Sequence, residues 1–146
     1  RQPQSDCAEF APFAKVITVN NAASVERHPV GAKGTGAGCN EEFITGDFRD
    51  TLPGFFGESR PMAGLINFDA DLYSSTMTAL THAAPVIDDK TILIFDELIV
   101  NRNWEQDEFR ALKEFCEGNG LSYEVFAVSL FTKQAACLVR KTTGGL

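Results

Sequence analysis

A strand–helix–strand unit in the middle of the chain constrains the fold more than any other feature of the sequence. Residues 63–68 and residues 91–95 are short apolar runs typical of buried strands. Between them, residues 74–86 carry apolar side chains at helical spacing. A connection of this kind is almost always right-handed, and it places its two strands side by side and parallel. The sequence therefore predicts an α/β sheet with a parallel centre.

The segments on either side of this unit predict further elements of the same sheet. Residues 105–119 have the period of an amphipathic helix, which Gly118 or Gly120 is expected to end. Residues 122–128 and residues 135–140 are strand-like and joined by a short turn, which indicates an antiparallel hairpin beyond the second apolar strand. The upstream half is expected to contain a strand at Lys15–Asn20, a Gly-rich loop at residues 31–38, a short strand at residues 43–46 and a helical turn at residues 50–56.

The chain divides into two unlike parts. Residues 1–39 form an irregular lead-in with one strand and the Gly-rich loop, and residues 40–146 form an α/β domain. We expect a mostly parallel sheet with a C-terminal antiparallel hairpin and helices on both faces. An exposed apolar sheet edge invites association, so we expect the free edge of residues 63–68 to be covered by Lys15–Asn20 or by a protein partner.

Composition excludes several classes of function. The 146 residues are enough to bury a core, and the net charge of −7 argues against a nucleic-acid backbone or an anionic membrane surface as partner. No apolar run reaches the roughly 20 residues of a membrane-spanning helix. The four cysteines lack CxxC spacing, which suits buried thiols or a reducing compartment, such as the cytoplasm or an organelle interior, better than a zinc site or a disulfide framework. Because the chain begins with Arg1, we expect an upstream segment such as a targeting peptide to have been removed.

Acidic residues follow both apolar strands of the central unit. Asp69 and Asp71 follow the first strand, and Asp96 and Glu97 follow the second. The carboxyl ends of parallel strands meet at one sheet edge, where four carboxylates repel each other unless a cation or a proton lies among them. Oxygen ligands of this kind favour Mg²⁺, Ca²⁺ or Mn²⁺ over zinc. Either Asp69 or Asp96 alone would more often cap the helix that follows it. The two lie at the ends of adjacent strands, however, and each has a second acid beside it, which favours a metal site.

The residues around these acids resemble a known family. The stretch FDADLYSST from Phe68, followed by a helix and then ILIFDELI, is similar to the macrocin O-methyltransferase family of class I S-adenosylmethionine-dependent enzymes. ITGDFRDTLPGFF from Ile44 and the pair Asn103-Trp104 fit the same family, and the similarity covers about residues 40–141. The resemblance implies a partial Rossmann-like methyltransferase fold.

The resemblance also implies roles for individual residues. Asp69, Asp96 and Glu97 correspond to the family's ligands for a divalent metal, here Mg²⁺ or Ca²⁺. The metal would orient and acidify the hydroxyl of a small-molecule acceptor, and Asp71 would then be the general base. Two further residues at the end of the preceding segment, Asp47 and Phe48, correspond to the region that contacts the adenine of the cofactor. An ordinary turn is an alternative role for Asp47.

The sequence departs from the family's pattern at the cofactor-binding segment. The family's first strand, which lies between its second and fourth, and the glycine-rich turn after it are expected upstream of this chain. Lys15–Asn20 would then be the second strand, with Asn20 or Asn21 where an acid usually holds the ribose. The glycines of residues 34–38 have GxGxG spacing, but they neither follow a strand nor open a helix, so a flexible loop is predicted there. We therefore expect weak binding of S-adenosylmethionine by this chain alone.

Two hypotheses follow. The first is a metal-assisted O-methyltransferase whose cofactor-binding segment lies elsewhere. The second is a catalytically silent methyltransferase-like module that serves as a structural or accessory subunit of a larger protein complex, including one in an organelle.

Overall fold

The computed structural model describes residues 15–20, 44, 46–99 and 102–142 of the chain. These residues form one five-stranded sheet, in the order β1-β2-β3-β5-β4, together with three α-helices. In chain order the elements are β1 (Lys15–Asn20), α1 (Phe48–Gly57), β2 (Ala63–Asp69), α2 (Tyr73–Ala83), β3 (Ile92–Phe95), α3 (Glu108–Gly118), β4 (Leu121–Val128) and β5 (Ala135–Lys141).

The sheet has the predicted mixed topology. β1, β2 and β3 are parallel, whereas β5 is antiparallel to both β3 and β4. The two apolar strands of the central unit are neighbours in parallel register, with Phe68 opposite Phe95. The C-terminal hairpin extends the sheet on the far side of β3. The predicted α/β class, parallel centre and antiparallel hairpin are thus confirmed.

The first strand lies directly against β2. Val19 is opposite Phe68, and Asn20 is opposite Asp69. Lys15–Asn20 therefore covers the β2 edge, as expected. The position of β1 differs from the expectation. The resemblance makes β2 the family's fourth strand, and the strand beside the fourth is the family's first strand and not its second, so β1 stands in the position of the first strand. Sequence pattern identifies a strand but cannot choose its neighbour in the sheet, because pairing depends on long-range packing.

The three described helices form one layer. α1 contacts α2, and α2 contacts α3. The connections from β1 to β2 and from β2 to β3 step in the same direction across the sheet, so right-handed crossovers place α1 and α2 on the same face. The described residues therefore show one of the two helical layers that were expected.

The core lies between this helical layer and the sheet. Burial alternates along β3 and β5, because successive side chains point to opposite faces of the sheet and one face is more buried than the other. On the buried face, Val19, Phe68, Phe95 and Ala135 form one row across four strands. The rings of Phe68 and Phe95 stack with their centroids 4.9 Å apart. Burial of one large apolar side chain contributes about 1.5–3 kcal/mol. This row therefore fixes the register of the strands that carry the acids.

Some local boundaries differ from the sequence predictions. In the predicted strand at residues 43–46, the described residues Ile44 and Gly46 lie outside any strand, and α1 begins soon after, at Phe48. Helix α2 ends at Ala83 and continues as a single 3-10 turn, because Pro85 has no N–H for a further helical bond. The Gly-rich loop at residues 31–38 lies outside the described residues.

Helix α3 begins later than predicted, after a 3-10 turn at Trp104–Gln106. Gly120 follows the helix with φ of 62°, a conformation that glycine adopts without strain. Gly120 is therefore the residue that ends the helix. Within the described ranges, none of the helices is both long and apolar enough to span a membrane.

Candidate active site

The loops that follow β2 and β3 leave the sheet side by side. Asp69 is the last residue of β2, and Asp96 is the first residue after β3. The backbone N–H of Asp96 donates a hydrogen bond of 3.0 Å to the carbonyl of Phe68, so the two strands stay paired up to the acids. Because both strands are parallel, both acidic loops emerge from the same end of the sheet.

The four acids of these loops are close enough to affect one another electrostatically. Burial raises the pKa of the Asp69 carboxyl, and the charges of Asp96, Asp71 and Glu97 raise it further. Partial desolvation likewise raises the pKa of Asp71, although its side chain is largely exposed, with further contributions from Glu97 and Asp96. The structure therefore brings together the four acids that the sequence placed at this edge.

Asp69 and Asp96 do not cap the helices that follow them, which was the alternative role considered for each. Helix α2 is capped at Leu72 without a side-chain hydrogen bond, and α3 begins after Asp107. Neither Asp69 nor Asp96 occupies a cap position. Asp71 has φ of 57°, in the left-handed region, and lies in a tight turn closed by a hydrogen bond of 2.6 Å from the Leu72 N–H to the Ala70 carbonyl. Left-handed backbone at a non-glycine residue costs about 1 kcal/mol or more.

The turn between β4 and β5 supplies two polar partners that the sequence analysis missed. Gln134 donates from Nε2 to Oδ1 of Asp96 at 2.8 Å. Lys133 places Nζ 3.4 Å from Oε1 of Glu97. Both acids after β3 are therefore engaged by the hairpin. No local pattern signals these contacts, because they join residues far apart in the chain.

The acidic cluster fits a hard cation by its chemistry but not by its arrangement. Its side chains offer carboxylate oxygens, which are the ligands that Mg²⁺ and Ca²⁺ prefer. Within the part of the chain that the structure describes, however, no group of three or more His, Cys, Asp or Glu side chains is arranged to hold a metal ion. No catalytic step is therefore assigned to a metal here.

Glu108 is a fifth carboxylate behind the two loops, and the sequence analysis missed its role. Its side chain is 1% exposed. It accepts hydrogen bonds from the Ala70 N–H at 3.3 Å and from the Glu97 N–H at 3.1 Å. Burial raises its pKa to about 7, although the two hydrogen bonds oppose the increase and the charges of Asp71 and Asp96 add to it. A signal was present, because Glu108 lies on the apolar stripe of α3 at helical spacing from Leu112.

A model of the macrocin-O-methyltransferase (TylF) family matches residues 38–132, which include both acidic loops. The chain belongs to the macrocin O-methyltransferase family.

Solved structures of other proteins agree with this family assignment. Two structures of CalS11, described as a TDP-rhamnose 3'-O-methyltransferase of calicheamicin biosynthesis, are each 26% identical to this chain. Their TM-scores are 0.51 for the apo structure and 0.52 for the other. The match covers 65% of this chain but only 39% and 36% of the CalS11 chains, so this chain spans under two fifths of their length. A comparison with curated proteins gave no match.

The two predicted adenine-contacting residues of this family member lie at the start of α1. Asp47 caps the helix, because its Oδ1 accepts the Arg49 N–H at 2.8 Å and its carbonyl accepts the Thr51 hydroxyl at 2.9 Å. Phe48 is half-buried and packs against the core. The contacts of Asp47 are therefore those of a helix N-cap, which differs from the ordinary turn considered as its alternative role, and the adenine contact stays a prediction.

Two aromatic residues near the acids have packing roles. Tyr73, at the start of α2, donates its hydroxyl to Oε2 of Glu114 on α3 at 2.6 Å. The guanidinium of Arg110 lies 4.6 Å from the centre of the same ring. Trp104 packs edge-on against Phe109, with ring centroids 4.8 Å apart. These contacts join α2 to α3 and anchor the loop that precedes α3.

Proposed function

We propose that this domain takes part in methyl transfer from S-adenosylmethionine to a hydroxyl group of a small-molecule acceptor. The observation that carries the proposal is the convergence of Asp69, Asp71, Asp96 and Glu97 at the carboxyl ends of two adjacent parallel strands. Open α/β sheets bind their ligands at such ends. Membership of the macrocin O-methyltransferase family supports the same reaction class.

Asp71 is the proposed general base. S-adenosylmethionine, when bound, would supply the methyl group by cleavage of its S–CH₃ bond, with the demethylated thioether as the leaving group. The acceptor oxygen forms the new C–O bond, and the carboxylate of Asp71 takes the hydroxyl proton. Its raised pKa makes Asp71 a stronger base than a free aspartate. Its exposed side chain is accessible to an acceptor at the same time.

The proposed cofactor position lies at the same end of the sheet. The carboxyl end of β1, at Asn20, is level with Asp69 on the neighbouring strand. Asp47 and Phe48, at the start of α1, are proposed to contact the adenine. The negative charge of the acidic loops would attract the sulfonium group, which is positively charged.

Binding of Mg²⁺ or Ca²⁺ by Asp69, Asp96 and Glu97 stays a prediction. It is supported by the oxygen chemistry of the three side chains and by the mutual repulsion that a cation would relieve. Calorimetric titration of the folded chain with millimolar Mg²⁺ or Ca²⁺ tests it, with Asp96→Asn expected to weaken binding markedly. Absence of heat in the wild-type chain would reject the metal site.

Transfer of a labelled methyl group tests the proposed reaction. Because weak cofactor binding is expected, the assay uses millimolar S-adenosylmethionine with sugar and phenol hydroxyl acceptors. Asp71→Asn should lower the rate by about 10²- to 10⁴-fold, the range for loss of a general base. Asp89→Asn is the matched control, because Asp89 is exposed in the turn before β3, at the opposite end of the sheet. Equal loss in both variants would contradict the role of Asp71.

The second candidate function is that of an accessory subunit. It is favoured by one observation: Asp96 and Glu97 are already engaged by Gln134 and Lys133 within the chain. Because these two carboxylates already have polar partners within the chain, they need a metal ion or a substrate less to offset their negative charge. A folded wild-type chain that transfers no methyl group even at millimolar S-adenosylmethionine would favour this function.

A further inference from the structure

We propose that Glu108 is a positioning residue that holds the two acidic loops of the candidate active site in register. One carboxylate oxygen accepts the N–H of Ala70, which lies between Asp69 and Asp71, and the other accepts the N–H of Glu97. A single side chain on α3 therefore joins the loop after β2 to the loop after β3. The inference rests on the proposed function, because these loops carry the acids assigned to methyl transfer.

Glu108 is a buried carboxylate on an otherwise apolar stripe of α3, so its presence there requires hydrogen-bond partners. Its neighbours on the same stripe of α3, Ala111, Leu112 and Phe115, are buried and apolar, and an apolar residue would continue that stripe. A buried carboxylate is costly unless hydrogen bonds satisfy it. The two backbone N–H groups supply those bonds, and the first turn of a helix favours negative charge. The position is thus suited to a carboxylate with two backbone donors.

The loops need such a restraint because their acids repel each other. Asp96 and Glu97 on one loop both disfavour the ionised forms of Asp69 and Asp71 on the other. The strand ladder joins the loops as far as the bond from the Asp96 N–H to the Phe68 carbonyl. Beyond that point, Glu108 links the backbone of the two loops.

Replacement of Glu108 by glutamine separates positioning from a merely structural role. Glu108→Gln keeps the size of the side chain but leaves one acceptor oxygen, so at most one of the two N–H groups keeps its partner. At pH 8 the variant should remain folded with a stability close to that of the wild type, because loss of the buried charge offsets the loss of one buried hydrogen bond. Nevertheless, hydrogen exchange at the Ala70 or Glu97 amide should accelerate by about tenfold to a hundredfold. Their amide NMR signals should shift, while those of β4 and β5 should not.

Thr91→Val is the matched control. Thr91 is fully buried and donates its hydroxyl to the Ala63 carbonyl at 2.7 Å, so the substitution removes a buried hydrogen bond at the opposite end of β2 and β3. It should leave exchange at Ala70 and Glu97 unchanged relative to the rest of the sheet. Unchanged exchange at both amides in Glu108→Gln, or acceleration spread evenly over the sheet, would overturn the proposal.

A measurement on the wild-type chain keeps the proposal testable where the variant fails to fold. Scalar couplings across hydrogen bonds should connect the amide nitrogens of Ala70 and Glu97 to the carboxyl carbon of Glu108, and their absence would overturn it. None of these measurements needs turnover. The wild-type chain could transfer no methyl group while Glu108→Gln still accelerates hydrogen exchange at Ala70 or Glu97. That result would refute the proposed function and support the positioning role.

Discussion

At the scale of single residues, Glu108 shows how burial changes the chemistry of a carboxyl group. In the unfolded chain it ionises near its ordinary pKa of 4.5, whereas burial in the folded chain raises its pKa to about 7. Between these two values the folded state binds more protons than the unfolded state. The stability that depends on Glu108 is therefore complete at acidic pH and is lost as the pH rises through about 7.

We expect Glu108→Gln to flatten this pH dependence. The free energy of unfolding of the wild type should fall by more than that of the variant between pH 5 and pH 8, with a difference on the order of 2–3 kcal/mol. The pKa values of Asp69 and Asp71 are also raised. Both proteins contain these residues, so their contributions largely cancel. Urea unfolding at the two pH values measures the effect, and parallel pH profiles would show that Glu108 ionises normally.

At the scale of elements, α3 combines two features that determine its length and position. Leu112 is fully buried on the face toward the core, together with Phe115 and Cys116. The helix ends through Gly120, whose left-handed backbone reverses the chain into β4. The first feature holds the helix on the sheet, and the second sets where it stops.

Two glycines at the end of α3 should respond to alanine in opposite directions. Gly120→Ala forces a side chain into φ of 62° and should destabilise the protein by about 1 kcal/mol. Gly118→Ala lies in the helix with open space around it and should stabilise the protein by about 0.5–1 kcal/mol. Thermal or urea unfolding of both variants measures the pair. The same sign for both would contradict the assigned helix end.

Truncation of the buried face of α3 should cost more than truncation of its exposed face. Leu112→Ala leaves a cavity in the core and should lower the free energy of unfolding by about 2–5 kcal/mol. Lys113→Ala, one residue further along the same helix, removes an exposed side chain and should leave stability nearly unchanged. Urea unfolding of both variants makes the comparison. Comparable losses would mean that α3 does not pack through Leu112.

At the scale of the whole molecule, the two outer strands of the described sheet differ in their surroundings. β1 shields the edge of β2, and β4 forms the other edge of the sheet. β4 carries the exposed apolar side chains of Phe126 and Val128, and its register with β5 shifts between Val125 and Ala127. An irregularity of this kind bends an edge strand and discourages pairing with other chains.

Weak binding of S-adenosylmethionine by residues 1–146 stays a prediction at this scale. The sequence offers no glycine-rich turn directly after a predicted strand, and such a turn supplies backbone donors to the cofactor. Each missing charge-assisted hydrogen bond costs roughly 1.5–3 kcal/mol, so a dissociation constant well above the micromolar range is expected. Equilibrium dialysis with labelled cofactor measures it. Micromolar binding would contradict the prediction and would assign a cofactor role to the loop at residues 31–38.

Local pattern was sufficient for most elements but not for their ends. β2, α2 and β3 were predicted within a few residues because their apolar spacing reports directly on which face is buried. The start of α3 was predicted three residues early, at Glu105 and not Glu108, because a 3-10 turn continues the polar pattern of the helix. The strand expected at residues 43–46 was wrong at Ile44 and Gly46, since a short apolar run does not distinguish a strand from a connection.

The sequence by itself determined that two acidic strand ends lie side by side. Strand, helix and strand in that order, together with the handedness of the connection, leave little alternative. Only the tertiary structure decided what surrounds those acids. Glu108 bonds to Ala70 across 38 positions, and Lys133 and Gln134 reach Glu97 and Asp96 across 36 and 38. Periodicity reports which face of an element is buried. It does not report which side chain of a distant element packs there, because that depends on the folding of the whole sheet.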